Sequence, residues 1–209
     1  MTGATSARTA AICGPTASKL GRVEPADEVL CRRIARGDQG AFDLLVTRYQ
    51  QRAWRLASSI LRDAEEARDI SQEAFIRLYQ SAGSFDGRAR FSTWFYRILV
   101  NLCLDHHRRR RWWNRFVAPR ESDDGEDAVE HQPAPEVDPV AALGREQDVK
   151  RLWAAVEQLS PQQRAAVVLM AREELPTSEI ATVLACSEAT VRVHVHRALA
   201  ALRRTLRKD

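Results

Sequence analysis

Residues 177–204 read TSEIATVLACSEATVRVHVHRALAALRR, two helical patterns parted by the break Ala185-Cys186-Ser187. A helix of about eight residues, 177–184, precedes a longer one, 188–206, which is the layout of a helix-turn-helix whose second helix enters the DNA major groove. Ser187 can cap that second helix through its hydroxyl. On it Val191, Val195, Leu199 and Leu202 fall within about 80° of one another when each residue turns about 100°, and form the buried side. The other side presents Thr190, Val193, His196 and Arg197, with Arg192 on the flank, in the N-terminal half where base edges are met. Six basic residues run from Arg192 to Lys208 with no acid among them, charge that can neutralise duplex phosphates. A plain helical hairpin with a solvated basic face is the alternative. His194 and His196, two apart, point about 200° apart and cannot share a metal ion.

Upstream, the helical period continues. Helices are expected at about 143–158 and 161–173; Pro161 suits a first turn, and Pro176 follows a break. In the first half Phe42, Leu45, Val46, Tyr49, Ala53, Leu56 and Ile60 recur at steps of three and four behind a candidate N-cap, Asp38. A second helix turns Ile70, Ala74, Phe75 and Leu78 inward and ends near Ser81-Ala82-Gly83-Ser84. A third, from about Ser92 through Arg110, has Phe95, Ile98, Leu99 and Leu102 as its apolar side. No segment alternates with period two over a useful length, so the fold class is all-α.

The two halves are separated by composition. Glu121 to Pro139 holds eight acidic residues, three prolines and no Lys or Arg, which is the make-up of an extended, flexible linker. The alternative, one domain with a long acidic loop, requires an unusually long structureless loop. Residues 1–25 are small and polar, without apolar period, and read as a disordered tail. The expected organisation is therefore a tail (1–25), a helical domain (26–116), an acidic linker containing proline (117–140) and a second helical domain with the helix-turn-helix (141–209).

Phe85 to Arg120 interleaves Phe85, Phe91, Trp94, Phe95, Tyr96, Trp112, Trp113 and Phe116 with basic residues, including Arg108 to Arg111 in a row. Bases stack on rings while guanidinium groups follow the backbone, so this mixture suits single-stranded nucleic acid. Trp94, Arg97, Asn101 and Arg108 share one helical stripe, and an exposed Asn101 amide can pair with a base edge; for Trp94 and Phe95 a core role is preferred. Phe85-Asp86-Gly87-Arg88-Ala89-Arg90-Phe91 is a loop able to accept a flipped base; ordinary turn duty accounts for it as well. Asp69, Gln72 and Glu73 share a polar face that a basic partner could neutralise, or that Glu73 could satisfy by pairing with Arg77.

Composition narrows the classes further. With 44% hydrophobic and 29% charged residues, the chain has material for a core. The net charge of +4 says little, but only Lys19, Lys150 and Lys208 of the 32 basic residues are lysines; guanidinium forks suit phosphates and guanine edges, and an arginine-biased GC-rich genome explains the bias too. Cys13, Cys31, Cys103 and Cys186 form no CxxC pair, which points away from zinc and disulfides and toward a reducing cytoplasm with buried, inert thiols. A hydrophobic leader and a membrane span are not expected. Nor does any phosphate-binding glycine loop, metal cluster or nucleophile–base set stand out, so no cofactor and no enzymatic activity are expected.

Taken in order, the segments resemble the extracytoplasmic-function (ECF) sigma factors of the sigma-70 family over about residues 27–207. The markers are Ala35-Arg36-Gly37-Asp38 with Ala41-Phe42 and Arg48-Tyr49; Asp69-Ile70-Ser71-Gln72-Glu73-Ala74-Phe75; Phe91-Ser92-Thr93-Trp94-Phe95-Tyr96-Arg97-Ile98 with Asn101 and Asp105; Leu159-Ser160-Pro161; Glu179-Ile180-Ala181; and Thr190-Val191-Arg192 with His196-Arg197-Ala198. The resemblance implies an RNA polymerase subunit that directs promoter recognition, melting and transcription initiation. Residues 26–116 would be region 2, serving core polymerase and the −10 element, and 141–209 region 4, serving the −35 element.

Carried over, Asp69, Gln72 and Glu73 would grip the clamp helices of the β′ subunit. Phe85, Gly87, Arg88, Arg90, Phe91 and Ser92, with Arg97, Asn101 and Arg108, would read the −10 single strand. Ser187, Thr190, Arg192, Val193, His196 and Arg197 would contact the −35 duplex, and the helix before the motif would meet the β flap. An anti-sigma factor is the further partner implied; no membrane partner is. Ala185 stands where the turn often has glycine, Ala189 replaces another, and Val193-His194 replaces a frequent Ser-Arg, so −35 specificity departs from the usual: valine offers only apolar contact, for example to a thymine methyl. The rival function is a helix-turn-helix repressor or activator that is not a polymerase subunit; a sigma-like decoy is a third.

Overall fold

Three helix starts are written in side chains that accept backbone N–H groups. The Asp38 carboxylate takes the Ala41 N–H at 3.0 Å and pairs with Arg33 at 2.8 Å, and these bonds, the Ala41 one first, hold its carboxyl below the ordinary range. Asp63 takes the N–H groups of Glu65 and Glu66, both at 2.9 Å. Ser160 and Gln163 close a capping box ahead of Pro161. Each removes orphan donors from a helix N-terminus.

The computed structural model describes residues 25–116, 155–156 and 158–206, the side chains of 205 and 206 excepted. Among them there are no strands. The helices are α1 Asp27–Ile34, α2 Gln39–Leu61, α3 Ala64–Ser81, α4 Phe91–Phe116, α5 Pro161–Ala171, α6 Thr177–Leu184 and α7 Glu188–Leu206, with a 3-10 turn at Ala82–Ser84. Nearly all of the expected tail and the whole of the expected linker lie outside the described residues, as does most of the helix expected at 143–158, of which Ala155 and Val156 are described and helical. No helix among the described residues is long and apolar enough to cross a membrane.

Two details differ from the periodic reading. That reading begins at Phe42 and has no place for α1, whose eight residues bury Leu30, Cys31 and Ile34; so short a helix shows barely two turns of pattern. Its end signals, Asp27 and Glu28 in the first turn and Arg32 and Arg33 in the last, complement the helix dipole and are present in the sequence. The helix expected to end near Arg110 continues to Phe116, because nothing between is a helix breaker.

The first half packs α1 to α4 around aromatic rings. Tyr49 meets Phe91 at 5.3 Å and Phe95 at 5.5 Å between ring centres, and Phe75 meets Phe95 at 5.0 Å, distances typical of favourable edge and tilted contacts. The Tyr49 hydroxyl donates to Asp27 at 2.6 Å; burial, then that partner, raises its pKa, so it remains a donor. Cys31 and Cys103 are fully buried, and burial pushes their thiols up to about 11 and about 12.

The second half packs directly onto the first. Ala165, Ala166, Leu169, Leu175, Ile180, Val183 and Val191 belong to the same apolar cluster as the α1–α4 core, while Ala155, Val156, Leu159, Ala198 and Leu202 form a smaller one. At the seam between α2 and α5, Arg164 is 5% exposed. It donates to the carbonyls of Ile60 at 2.7 Å, Leu159 at 3.0 Å and Val156 at 3.3 Å, so one guanidinium ties the end of α2 to the segment before α5 through three backbone acceptors.

Candidate nucleic-acid interface

The turn between α6 and α7 sets the first surface. Ala185 adopts a left-handed conformation, φ 51° and ψ 45°, and the Cys186 N–H returns to the Ala181 carbonyl at 3.0 Å. The Ser187 hydroxyl accepts the Thr190 N–H at 3.1 Å, capping α7 as its sequence position suggests. On α7, Val191, Ala198 and Leu202 are buried and Val195 and Leu199 are half-buried. Arg192, Val193, His196 and Arg197 are exposed, Val193 by 46%, and Thr190 is half-buried. Arg192 reaches Glu188 at 3.2 Å, an exposed i,i+4 pair that a phosphate can displace at little cost. Among the described residues no cluster of three or more His, Cys, Asp or Glu could hold a metal.

Left-handed backbone costs an L-residue about 1–2 kcal/mol, partly offset by the unfolded-chain entropy that alanine saves over glycine. Ala185 is exposed, so its methyl adds little packing in return. Ala185→Gly is expected to raise stability by about 0.5–1 kcal/mol in urea unfolding; a loss would show that the methyl is used.

The second surface lies on α4 and the loop before it. Gly87 has φ +74°, where a side chain is strained. The Asp86 carboxylate takes the Arg88 N–H at 3.0 Å, and Arg88 itself is 90% exposed. Phe85 is half-buried against Trp94, ring centres 5.3 Å apart. Phe91 is the correction among the candidates: its ring is fully buried and offers no surface to a base. It sits under the loop, its N–H held by Glu28 at 3.1 Å. Ser92 and Trp94 are half-buried, and Phe95 is core.

Along α4, Arg97, Asn101 and Arg108 are all exposed. They span about 16 Å at about 1.5 Å per residue. Arg108 pairs with Asp105, and Arg110 with Glu66 at 3.0 Å. The positive field here is visible at His107, whose pKa is lowered by burial and then by Arg111, Arg164 and Arg110. Beyond, Trp112, Trp113 and Phe116 are exposed by 59%, 57% and 66%, rings among guanidinium groups at the end of the helix.

The third surface is on α3. Asp69 and Gln72 are exposed, and Glu73 pairs with Arg77 at 2.9 Å. Ile76 and Tyr79, 51% and 43% exposed, continue this face at helical spacing. They are not among the sequence candidates, although two large apolar residues on the outer side of an amphipathic helix are a readable signal. An acidic stripe with an apolar end suits a protein partner more than a nucleic acid.

Known proteins share the segments that carry these surfaces. The sigma-70 region 2 pattern matches residues 45–113 and the sigma-70 region 4 pattern residues 150–202. The chain is 36% identical to the RNA polymerase sigma-H factor of Pseudomonas aeruginosa over 86% of its own length and 93% of that protein's. It is 33% identical to the ECF RNA polymerase sigma factor SigW of Bacillus subtilis, over 84% and 94%. Among solved structures it is similar to CnrH, determined in complex with the cytosolic domain of CnrY, with a TM-score of 0.60, 25% identity, and coverage of 88% of this chain and 99% of that one.

Proposed function

The chain belongs to the ECF sigma factors of the sigma-70 family, and from that premise we propose that its three surfaces divide the work of initiation. It is an RNA polymerase sigma factor, a transcription initiation factor and not an enzyme. In our reading α3 docks the β′ clamp helices through Asp69, Gln72, Glu73, Ile76 and Tyr79. The α7 face, Ser187, Thr190, Arg192, Val193, His196 and Arg197, docks the −35 duplex. The loop and α4, through Phe85, Gly87, Arg88, Arg90, Ser92, Arg97, Asn101 and Arg108, hold the melted −10 strand. Residues 26–116 and 141–209 are the two functional units, working in the cytoplasm.

The mechanism needs no chemistry. A flipped base costs a few kcal/mol of unstacking; each base stacked on an aromatic side chain returns about 1–3 kcal/mol, and phosphate contacts add a salt-sensitive share. Melting is then strand capture. One observation carries this assignment: Arg97, Asn101 and Arg108 stand exposed on one helix that is anchored through buried Phe91 and Phe95. An anti-sigma partner is also proposed, since CnrH and the Bartonella quintana sigma factor RpoE, a relative in fold, were each solved with a bound protein, in the latter case the anti-sigma factor NepR.

The test adds the full chain to core polymerase with a promoter library and sequences the transcripts. Initiation confined to a promoter class is expected; none, with core binding intact, would overturn the reading, and duplex binding without polymerase would favour the repressor rival. Asn101→Ala is expected to reduce strand opening, read as permanganate reactivity of unpaired thymines, about tenfold or more with unchanged core affinity. That factor corresponds to about 1.4 kcal/mol, within the range of one lost base contact. Equal loss of both would make Asn101 a structural residue.

A further inference from the structure

The outward face of α7 has an apolar centre. At about 100° per residue, Val193 lies about 140–180° around the helix from Val191, Ala198 and Leu202, which are buried. No other candidate on the helix stands so directly opposite the buried stripe. Val193 is the sixth of the 19 residues of α7, and at 46% it is the most exposed large apolar side chain described in the second half. Its polar neighbours are partly committed to one another. The Ser187 and Thr190 hydroxyls bond each other at 2.8 Å, and Arg192 pairs with Glu188 at 3.2 Å. His196 and Arg197, both exposed, flank Val193 about 60° to one side and about 40° to the other.

That placement limits what can be recognised. A helix lying in the major groove turns the residue opposite its buried stripe toward the base edges and its flanking residues toward the phosphate walls. The flanks here carry Arg192 and Arg197, but the residue between them has no polar side-chain atom. It can neither donate nor accept a hydrogen bond. Of the groups that base pairs present in that groove, the thymine C5-methyl is the one that suits it. Branching at Cβ helps, because a helical valine keeps one χ1 rotamer about 90% of the time. Its two methyl groups therefore stand in place before DNA arrives, and little side-chain entropy is lost on contact. A serine, in contrast, bonds to more than one base.

We propose that Val193 selects a thymine in the −35 element by packing against its 5-methyl group. The inference rests on the reading of α7 as the −35 face and names the group on the DNA that the apolar centre of that face takes. The contact distinguishes thymine from cytosine and from uracil, whereas Arg192 and Arg197 supply charge whose contribution does not depend on that methyl group.

The test uses the full chain bound to core polymerase, on a promoter selected from the promoter library. Each −35 thymine, on either strand, is replaced singly by deoxyuridine, which removes only the methyl group, and competition binding reads the affinity. One thymine should respond. Its deoxyuridine form should bind about fourfold more weakly, equivalent to about 0.8 kcal/mol at about 1.4 kcal/mol per tenfold, as for one methyl-sized group left in water. Cytosine there should also bind more weakly, and 5-methylcytosine should recover part of the loss. Val193→Ala should bind the parent promoter about fourfold more weakly and the deoxyuridine form no worse than the parent form. A −35 element without a methyl-sensitive thymine would overturn the proposal, as would a methyl effect of unchanged size in Val193→Ala. Scrambling the −35 sequence and Arg197→Ala test the underlying reading separately. Each should weaken binding about tenfold or more. Absence of loss in one or both removes α7 from the −35 duplex, whereas loss in both without a methyl effect removes only the role of Val193.

Discussion

Reversing the charge at Asp69 and Glu73 together, Asp69→Arg with Glu73→Arg, is expected to lower core-dependent transcription by about a hundredfold or more while shifting the melting temperature by less than about 5 °C. The asymmetry follows from exposure. The Glu73–Arg77 pair has side chains 43% and 56% exposed, and such pairs contribute about 0–1 kcal/mol to folding; a second guanidinium four residues before Arg77 adds repulsion of only about 0.2–0.5 kcal/mol. Against a basic partner surface the same reversal costs several kcal/mol, since like charges face each other at an interface, and a hundredfold loss needs about 2.8 kcal/mol. Run-off transcription with purified core, beside a thermal melt, checks it. Transcription within about threefold of the parent would remove α3 from the polymerase contact, and Ile76→Ala should then be neutral as well.

The opposite behaviour is expected of Phe95→Ala, which should destabilise the chain by about 3–5 kcal/mol, the usual range for emptying a buried phenylalanine site. Phe95 is fully buried. Its ring lies 5.0 Å from Phe75, 5.5 Å from Tyr49 and 6.1 Å from both Phe91 and Tyr96, so no neighbour can close the gap without leaving its own contacts. Urea unfolding followed by circular dichroism measures the loss. A change below about 1 kcal/mol would mean that the four rings repack into the space. Since Tyr96 also reaches Glu173, this substitution should disturb both halves, whereas the α3 reversal should disturb neither.

Where the sequence is legible, the information is local. The helices expected at 177–184 and 188–206 are found at Thr177–Leu184 and Glu188–Leu206, because Ser187 signals a cap within three residues of the N–H it accepts. Asp38 works the same way. Phe95 reads as core and is core. Phe91 shows the limit: in a loop of aromatics and arginines it resembles a stacking residue, yet it is buried, since composition cannot say which ring of a cluster points inward. Helix α1 escapes the periodic reading because eight residues hold too little period, though its end charges are legible.

The all-α class, the capped helix-turn-helix, the acidic break between the halves and the ordered motifs that place the chain among ECF sigma factors are all written in the order of the residues. Each depends on groups within a few turns of one another or on their succession along the chain. The partners of Thr93, Tyr96 and Arg164 are of another kind. They are Glu179, Glu173 and the Ile60 carbonyl, across separations of 86, 77 and 104 residues, and only the packed chain reveals them. No period or spacing encodes such pairs. They arise because two apolar faces bury each other, and whichever polar groups are enclosed at the seam must find partners there.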